Sequence, residues 1–254
     1  SADDAIFTTT VTLDNGENYT AIANGIVGDV DFPFGIALTD GAQLTGTNAN
    51  AIDIRAFHGI PGAPAVDIYE INNDVTPFVN LSYGDFSDEY VAAAPGPSFF
   101  EIRPTGTETT VGTFFGNLTG GGGLSGVVFA GGLLDEAPLF NLYLVLPNGA
   151  VITLTPLAPL QIIHNSPAAA AAVVDVYAGI NPATGADYSL IEDDLAFRTA
   201  TSLQTYYPTR LPLTIGIAPA NSTDGDDILF SLPSFTLEDG KLYTAIANGI
   251  PGDE

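Results

Sequence analysis

Short runs in which apolar and polar residues alternate follow one another along the chain. They read AIDIRAF (51–57), AVDIYEI (65–71), SFFEIRP (98–104), VGTFFGN (111–117), SGVVFAG (125–131) and LFNLYLVL (139–146). A period of two puts successive side chains on opposite faces, so these runs predict half-buried β-strands rather than helices. Gly, Pro, Asn and Asp break them at short intervals, and no stretch carries a helical period. Pro147-Asn148-Gly149 marks a hairpin turn, because Asn-Gly readily takes positive φ. About seven strands in roughly a hundred residues is the rhythm of a two-sheet β-sandwich.

The pattern also repeats. Tyr19–Ile26 reads YTAIANGI and Tyr243–Ile250 reads YTAIANGI again, an offset of 224 residues, with LDNGENY leading into the first and LEDGKLY into the second. Ile54–Tyr69 (IRAFHGIPGAPAVDIY) and Ile162–Tyr177 (IIHNSPAAAAAVVDVY) form a second pair that aligns His58 with His164 and Asp67 with Asp175. A weaker alignment at an offset of 106 places Ala21, Ile22, Ala23 and Gly25 on Val127, Val128, Phe129 and Gly131, and Phe34, Ile36 and Leu38 on Phe140, Leu142 and Leu144. A repeat of this length is one structural unit whose apolar faces are buried by its own second sheet or by a neighbour. The expected organisation is the C-terminal half of a unit over 1–51, a complete unit over 52–157, and a unit over 158–254 that lacks its last strand.

Composition narrows the function classes. Thirty acidic residues against five Lys and Arg give a formal net charge of −25, so nucleic acid and anionic membrane surfaces would be repelled. The 46% apolar content is enough for a packed core, and no apolar run approaches the length of a membrane-spanning helix. Such acidity with a single Lys also fits a protein living in salt, where screening tolerates self-repulsion. With no Cys there is neither a disulfide framework nor a thiol nucleophile.

IRAFHGIPGAPAVDIY resembles the opening signature of the DUF4397 family, with the His, the Pro (Pro61, Pro167) and the Val-Asp-x-Tyr (Val66–Tyr69, Val174–Tyr177) in place at both sites. The LxxGxxYTAIANG stretch resembles that family's penultimate strand. The resemblance implies an all-β chain of tandem immunoglobulin-like or transthyretin-like β-sandwich domains on a secreted prokaryotic surface protein, with no established activity. The signature's Pro-Asp-Ala-Pro is weakened here to PGAP (61–64) and PAAA (167–170), so any ligand role of that Asp is lost.

No catalytic constellation emerges. The only histidines, His58 and His164, lack a third His or a Cys to complete a transition-metal site, and backbone hydrogen bonding at a strand end is their simpler role. Asp224, Asp226 and Asp227 are the calcium candidates; the run lacks the spacing of a known loop, so a solvated turn is the simpler reading, and no other cofactor is implied. Gly120–Gly123 has no Lys-Ser/Thr after it and is no phosphate loop. Asn18, Asn80, Asn117 and Asn221 begin glycosylation sequons.

The expected role is therefore a non-enzymatic, extracellular structural subunit of a filament or cell-surface array, joined head-to-tail to other copies of the chain by β-strand complementation. The assembly candidates are Ile6, Phe7, Tyr19, Ile22, Phe34, Ile36, Leu38, Tyr243, Ile246 and Ile250. The alternative is an adhesin or glycan-binding module in a long repeat protein, with Tyr206-Tyr207 as its aromatic platform, although core packing explains that pair as well.

Overall fold

The computed structural model describes residues 5–180 and 187–249. The chain is all-β among these residues, built of several mainly antiparallel sheets with no α-helix. It divides into two compact units, residues 1–155 and 156–254.

The first unit opens with an isolated hairpin of β1 (Thr20–Asn24) and β2 (Gly35–Thr39). After it come β3 (Ile52–His58), β4 (Val66–Glu70), β5 (Val75–Leu81), β6 (Val91–Ala93), β7 (Pro97–Pro104), β8 (Gly112–Asn117), β9 (Ser125–Gly131), β10 (Asn141–Val145) and β11 (Val151–Thr153). One sheet runs β11-β10-β9-β3-β6 and another β8-β7-β4-β5. Ile52, Ile54 and Ala56 of β3 and Leu142 and Leu144 of β10 share one core with Ile68 of β4, Phe78 of β5, Ile102 of β7 and Phe114 of β8. The two sheets therefore enclose a single apolar layer, as alternating strands require. Nine strands occupy this stretch rather than about seven, because β6 and β11, with three residues each, are too short to show a period. Pro77 is tolerated in β5 because β5 is an edge strand.

The second unit contains β12 (Thr155–Asn165), β13 (Val173–Ile180), β14 (Tyr188–Ala196), β15 (Tyr206–Pro208), β16 (Pro212–Pro219), β17 (Phe230–Ser231), β18 (Phe235–Thr236) and β19 (Tyr243–Asn248). In it β12 is flanked by β15 and β19, while β14-β13-β16-β17 form a second sheet in which β18 also pairs with β16. Leu160 and Ile162 of β12 pack with Val174 and Val176 of β13 and with Leu213 and Ile215 of β16.

One unusual pairing recurs in both units. β3 runs parallel to β9 with His58 beside Ala130, and β12 runs parallel to β19 with His164 beside Ala247.

Candidate functional site

The hairpin β1–β2 copies β9–β10. In β1–β2, Ala21 faces Leu38 and Ala23 faces Ile36; in β9–β10, Val128 faces Leu144 and Ala130 faces Leu142. The connections match as well: Ile26 N–H donates to Phe32 O and Phe34 N–H to Ile26 O, as Leu133 N–H donates to Pro138 O and Phe140 N–H to Leu133 O. Gly25, Gly132 and Gly249, at one position of the pattern, all have positive φ of 87°, 119° and 95°. This corrects the alignment expected from sequence by one residue, placing Ala21 on Val128 rather than Val127. Val27–Asp31 is one residue longer than the connection over 134–137 and absorbs the slip.

The two hairpins differ in what covers them. Leu142 and Leu144 are 2% and 1% exposed and close the first core. Their counterparts Ile36 and Leu38 are 47% and 37% exposed, and Ala21 and Ala23 beside them are exposed too. The opposite face, with Ile22 and Ala37, is half-buried. So the face that fills a core in β9–β10 faces solvent in β1–β2. The segment after the hairpin is tied down by bonds from Arg55 Nη1 to Asp40 O (2.7 Å), Ser125 Oγ to Gln43 O (2.7 Å), Gln43 N–H to the Tyr90 hydroxyl (3.2 Å) and Thr47 N–H to Asp53 Oδ2 (2.7 Å). Phe32 packs edge-on to Tyr83 at 5.4 Å.

Strand β19 shares its sequence with β1 and faces the second core. Tyr243 and Ala245 pack on that core, whereas Ile246 is 59% exposed. Asn165 Nδ2 donates to Asn248 Oδ1 (3.1 Å) and Ser166 Oγ to Gly249 O (2.6 Å), which fixes β19 beside β12. Among the described residues β19 pairs with β12 alone, so its other edge presents unpaired backbone groups. The approach to each strand is also the same: Asp14 N–H donates to the Tyr19 hydroxyl (2.8 Å) and Glu238 N–H to the Tyr243 hydroxyl (3.0 Å).

Of the other assembly candidates, Ile6 is 76% exposed, and Phe7 stacks edge-to-face on Phe34 at 5.7 Å. Ile250 lies outside the described residues.

The histidines and aspartates of the shared motif hold the fold together. His58 Nε2 lies 3.0 Å from Pro64 O, and its Nδ1 accepts from Ile60 N–H. His164 does the same with Ala171 O and Ser166 N–H. Each ring thus pins the loop that follows its strand. Asp67 accepts from Asn80 N–H, Thr105 Oγ1 and Gly106 N–H; Asp175 accepts from Asp194 N–H, Ser222 N–H and Ser222 Oγ. Burial opposes ionisation of both carboxyls, but these donors outweigh it and hold each pKa below the ordinary 3.8. Burial also pushes His58 below its ordinary 6.5, only partly offset by the Pro64 carbonyl and the charge of Asp85.

The calcium candidates form a 3-10 turn at Gly225–Asp227. Asp224 Oδ1 accepts from Asp226 N–H and Asp227 Oδ2 from Thr223 N–H, so both carboxylates serve the turn. The acidic side chains that converge among the described residues are instead Asp175, Asp193 and Asp194, with oxygens within 4.8 Å. In the sequence Asp193 and Asp194 stand out as part of the acidic run 192–194, but Asp175 is visible only as half of a motif, so nothing there brings the three together. Tyr207 is 7% exposed and belongs to the second core; burial and then the charge of Glu192 push its hydroxyl up to about 12. It therefore cannot serve as half of an exposed aromatic platform.

Residues 52–144 match the family model described as "Domain of unknown function (DUF4397)", so the chain carries one such domain. No curated protein matches the chain. A solved structure described as a leucine-rich repeat protein from Bacteroides thetaiotaomicron aligns at 11% identity and a TM-score of 0.24, over 82% of this chain and 26% of that one.

Proposed function

We propose that this chain is a non-enzymatic structural subunit of an extracellular filament or cell-surface array, whose copies join by β-strand complementation. The observation that carries the reading is the outward-facing core side of β1–β2: Ile36 and Leu38 stand in water where Leu142 and Leu144 seal a core. Exposed apolar side chains in a core pattern, on a two-stranded hairpin, are the signature of a surface that another sheet covers. The open edge of β19, a strand with the sequence of β1, is a matching receptor. A contact between two different surfaces of one chain is head-to-tail, and where its rotation does not close into a ring it propagates into a fibre.

In this reading both units are immunoglobulin-like or transthyretin-like sandwiches of the DUF4397 kind in tandem. The shared parallel pairing of β3–β9 and β12–β19 supports that, and so does the Tyr243 hydroxyl bonded to backbone five residues upstream, as in a tyrosine corner. The net charge of −25 supports partners that are other copies rather than nucleic acid or anionic membrane. Electron micrographs of the purified chain at rising concentration test the reading. Fibres are expected; monodisperse particles that bind glycans would favour the adhesin instead.

A further inference from the structure

The partner edge can be named residue by residue, on the filament reading just given. We propose that Gly35–Thr39 of one copy pairs antiparallel with Thr244–Asn248 of another and leaves its own β1. The register sets Thr39 against Thr244, Leu38 against Ala245, Ala37 against Ile246, Ile36 against Ala247 and Gly35 against Asn248. That register is the one β2 already uses with the identical residues of β1.

Three observations support the exchange. Directly opposed residues of an antiparallel pair share a face. Because Ala245 packs on the second core, Leu38 opposite it, and Ile36 two residues away, are delivered to that core. Leu144 and Leu142, opposite Val128 and Ala130, do this in the first unit. Second, the swap replaces one TAIAN strand by another, so backbone pairing is balanced and the gain is apolar coverage. Exchange of an identical element is a low-cost route to association. Third, β1 gives way more easily than β19. Both strands alternate half-buried and exposed residues, but β19 also packs Tyr243 and Ala245 on the second core and is held by the bonds from Asn165 and Ser166. The occupant is a second copy because the chain supplies both the receptor edge and the strand that fits its twin.

The chain has no Cys, so a cross-link test has no background. An Ala37→Cys chain is mixed with an affinity-tagged Ile246→Cys chain, both otherwise complete, and oxidised mildly. Opposed Cα atoms lie within disulfide reach. The expected product is a mixed disulfide-linked dimer. Its yield falls about tenfold or more when Thr244→Cys replaces Ile246→Cys, because a diagonal pair is out of reach. Equal yields from the two pairings, or no mixed dimer, would overturn the register. Linkage of Asn24→Cys to Asn165→Cys instead would show the whole hairpin displacing β19, and a doubly substituted Ala37→Cys/Ile246→Cys chain that links only within itself would remove the second copy. Micrographs of the same samples separate the two levels. Filaments without the link sink the register alone; the link without filaments keeps the pairing and sinks the filament reading.

Discussion

Leu38 and Leu144 hold matching places in two hairpins of one pattern, opposite Ala21 and Val128, yet Leu38 is 37% exposed and Leu144 1%. The same kind of side chain therefore does different work in the two hairpins. Leu144→Ala empties a closed core and should cost about 2–5 kcal/mol. Leu38→Ala should change the stability of the unassembled chain by no more than about 0.5 kcal/mol while lowering polymer yield. Urea denaturation of the unassembled chain and sedimentation of polymer measure the two effects separately.

Gly25 and Gly249 share positive φ, but their surroundings differ. A Cβ on Gly25 would lie 2.3 Å from Pro33 O, and one on Gly249 would meet nothing within 4 Å. Gly25→Ala should open the β1–β2 hairpin, whereas Gly249→Ala should carry only the left-handed backbone penalty of about 1–2 kcal/mol. Hydrogen exchange at the amides of Thr20–Asn24 should accelerate in the first variant and not in the second.

Asp67 and Asp175 carry pKa values held below 3.8 by donated hydrogen bonds. A carboxyl depressed in the folded state stabilises it above the unfolded pKa, and that contribution is lost as pH falls through the folded value. Asp67→Asn and Asp175→Asn should each be about 1–3 kcal/mol less stable at neutral pH. Each should also lose less on acidification below about pH 4 than the parent chain. Urea midpoints across the acid range give the slopes.

His58 acts at milder acidity. Its pKa lies below 6.5 in the fold, so the unfolded chain binds the proton more readily, and stability is full above 6.5 and falls as pH drops beneath it. Protonation would also remove the Nδ1 lone pair that accepts from Ile60 N–H. His58→Gln should flatten the pH dependence of the midpoint between about pH 5 and 7. An unchanged slope would show that the ring stays neutral or that the loop over 59–64 is held otherwise.

Much of this was legible in the chain itself. The runs AIDIRAF and LFNLYLVL form strands β3 and β10, and β10 alternates as expected, whereas β3 is buried on both faces, Asp53 and Arg55 included; the two YTAIANGI copies gave β1 and β19 their shared Tyr, Gly and turn geometry. Other features depend on distant partners and left no local trace. Three-residue edge strands such as β6 and β11 have no period to read. The extra residue in Val27–Asp31 shifted Ala21 onto the wrong partner, since a one-residue slip in a strand exchanges its faces. Tyr206-Tyr207 reads equally as a platform or as core, because alternation cannot say which side of a strand meets the core; burial of Tyr207 decides for the core. The Asp175 cluster is assembled from β13 and β14, which only the folded sheet brings together.

On the filament reading, copies of this chain join through the exposed core face of β1–β2. The most direct test is electron microscopy of the full chain beside the doubly substituted Ile36→Asp/Leu38→Asp chain at equal concentration, with circular dichroism to show that both remain β-structured. Filaments are expected from the parent chain and dispersed single particles from the variant. Dispersed particles from the parent, or filaments of the same axial spacing from the variant, would contradict it.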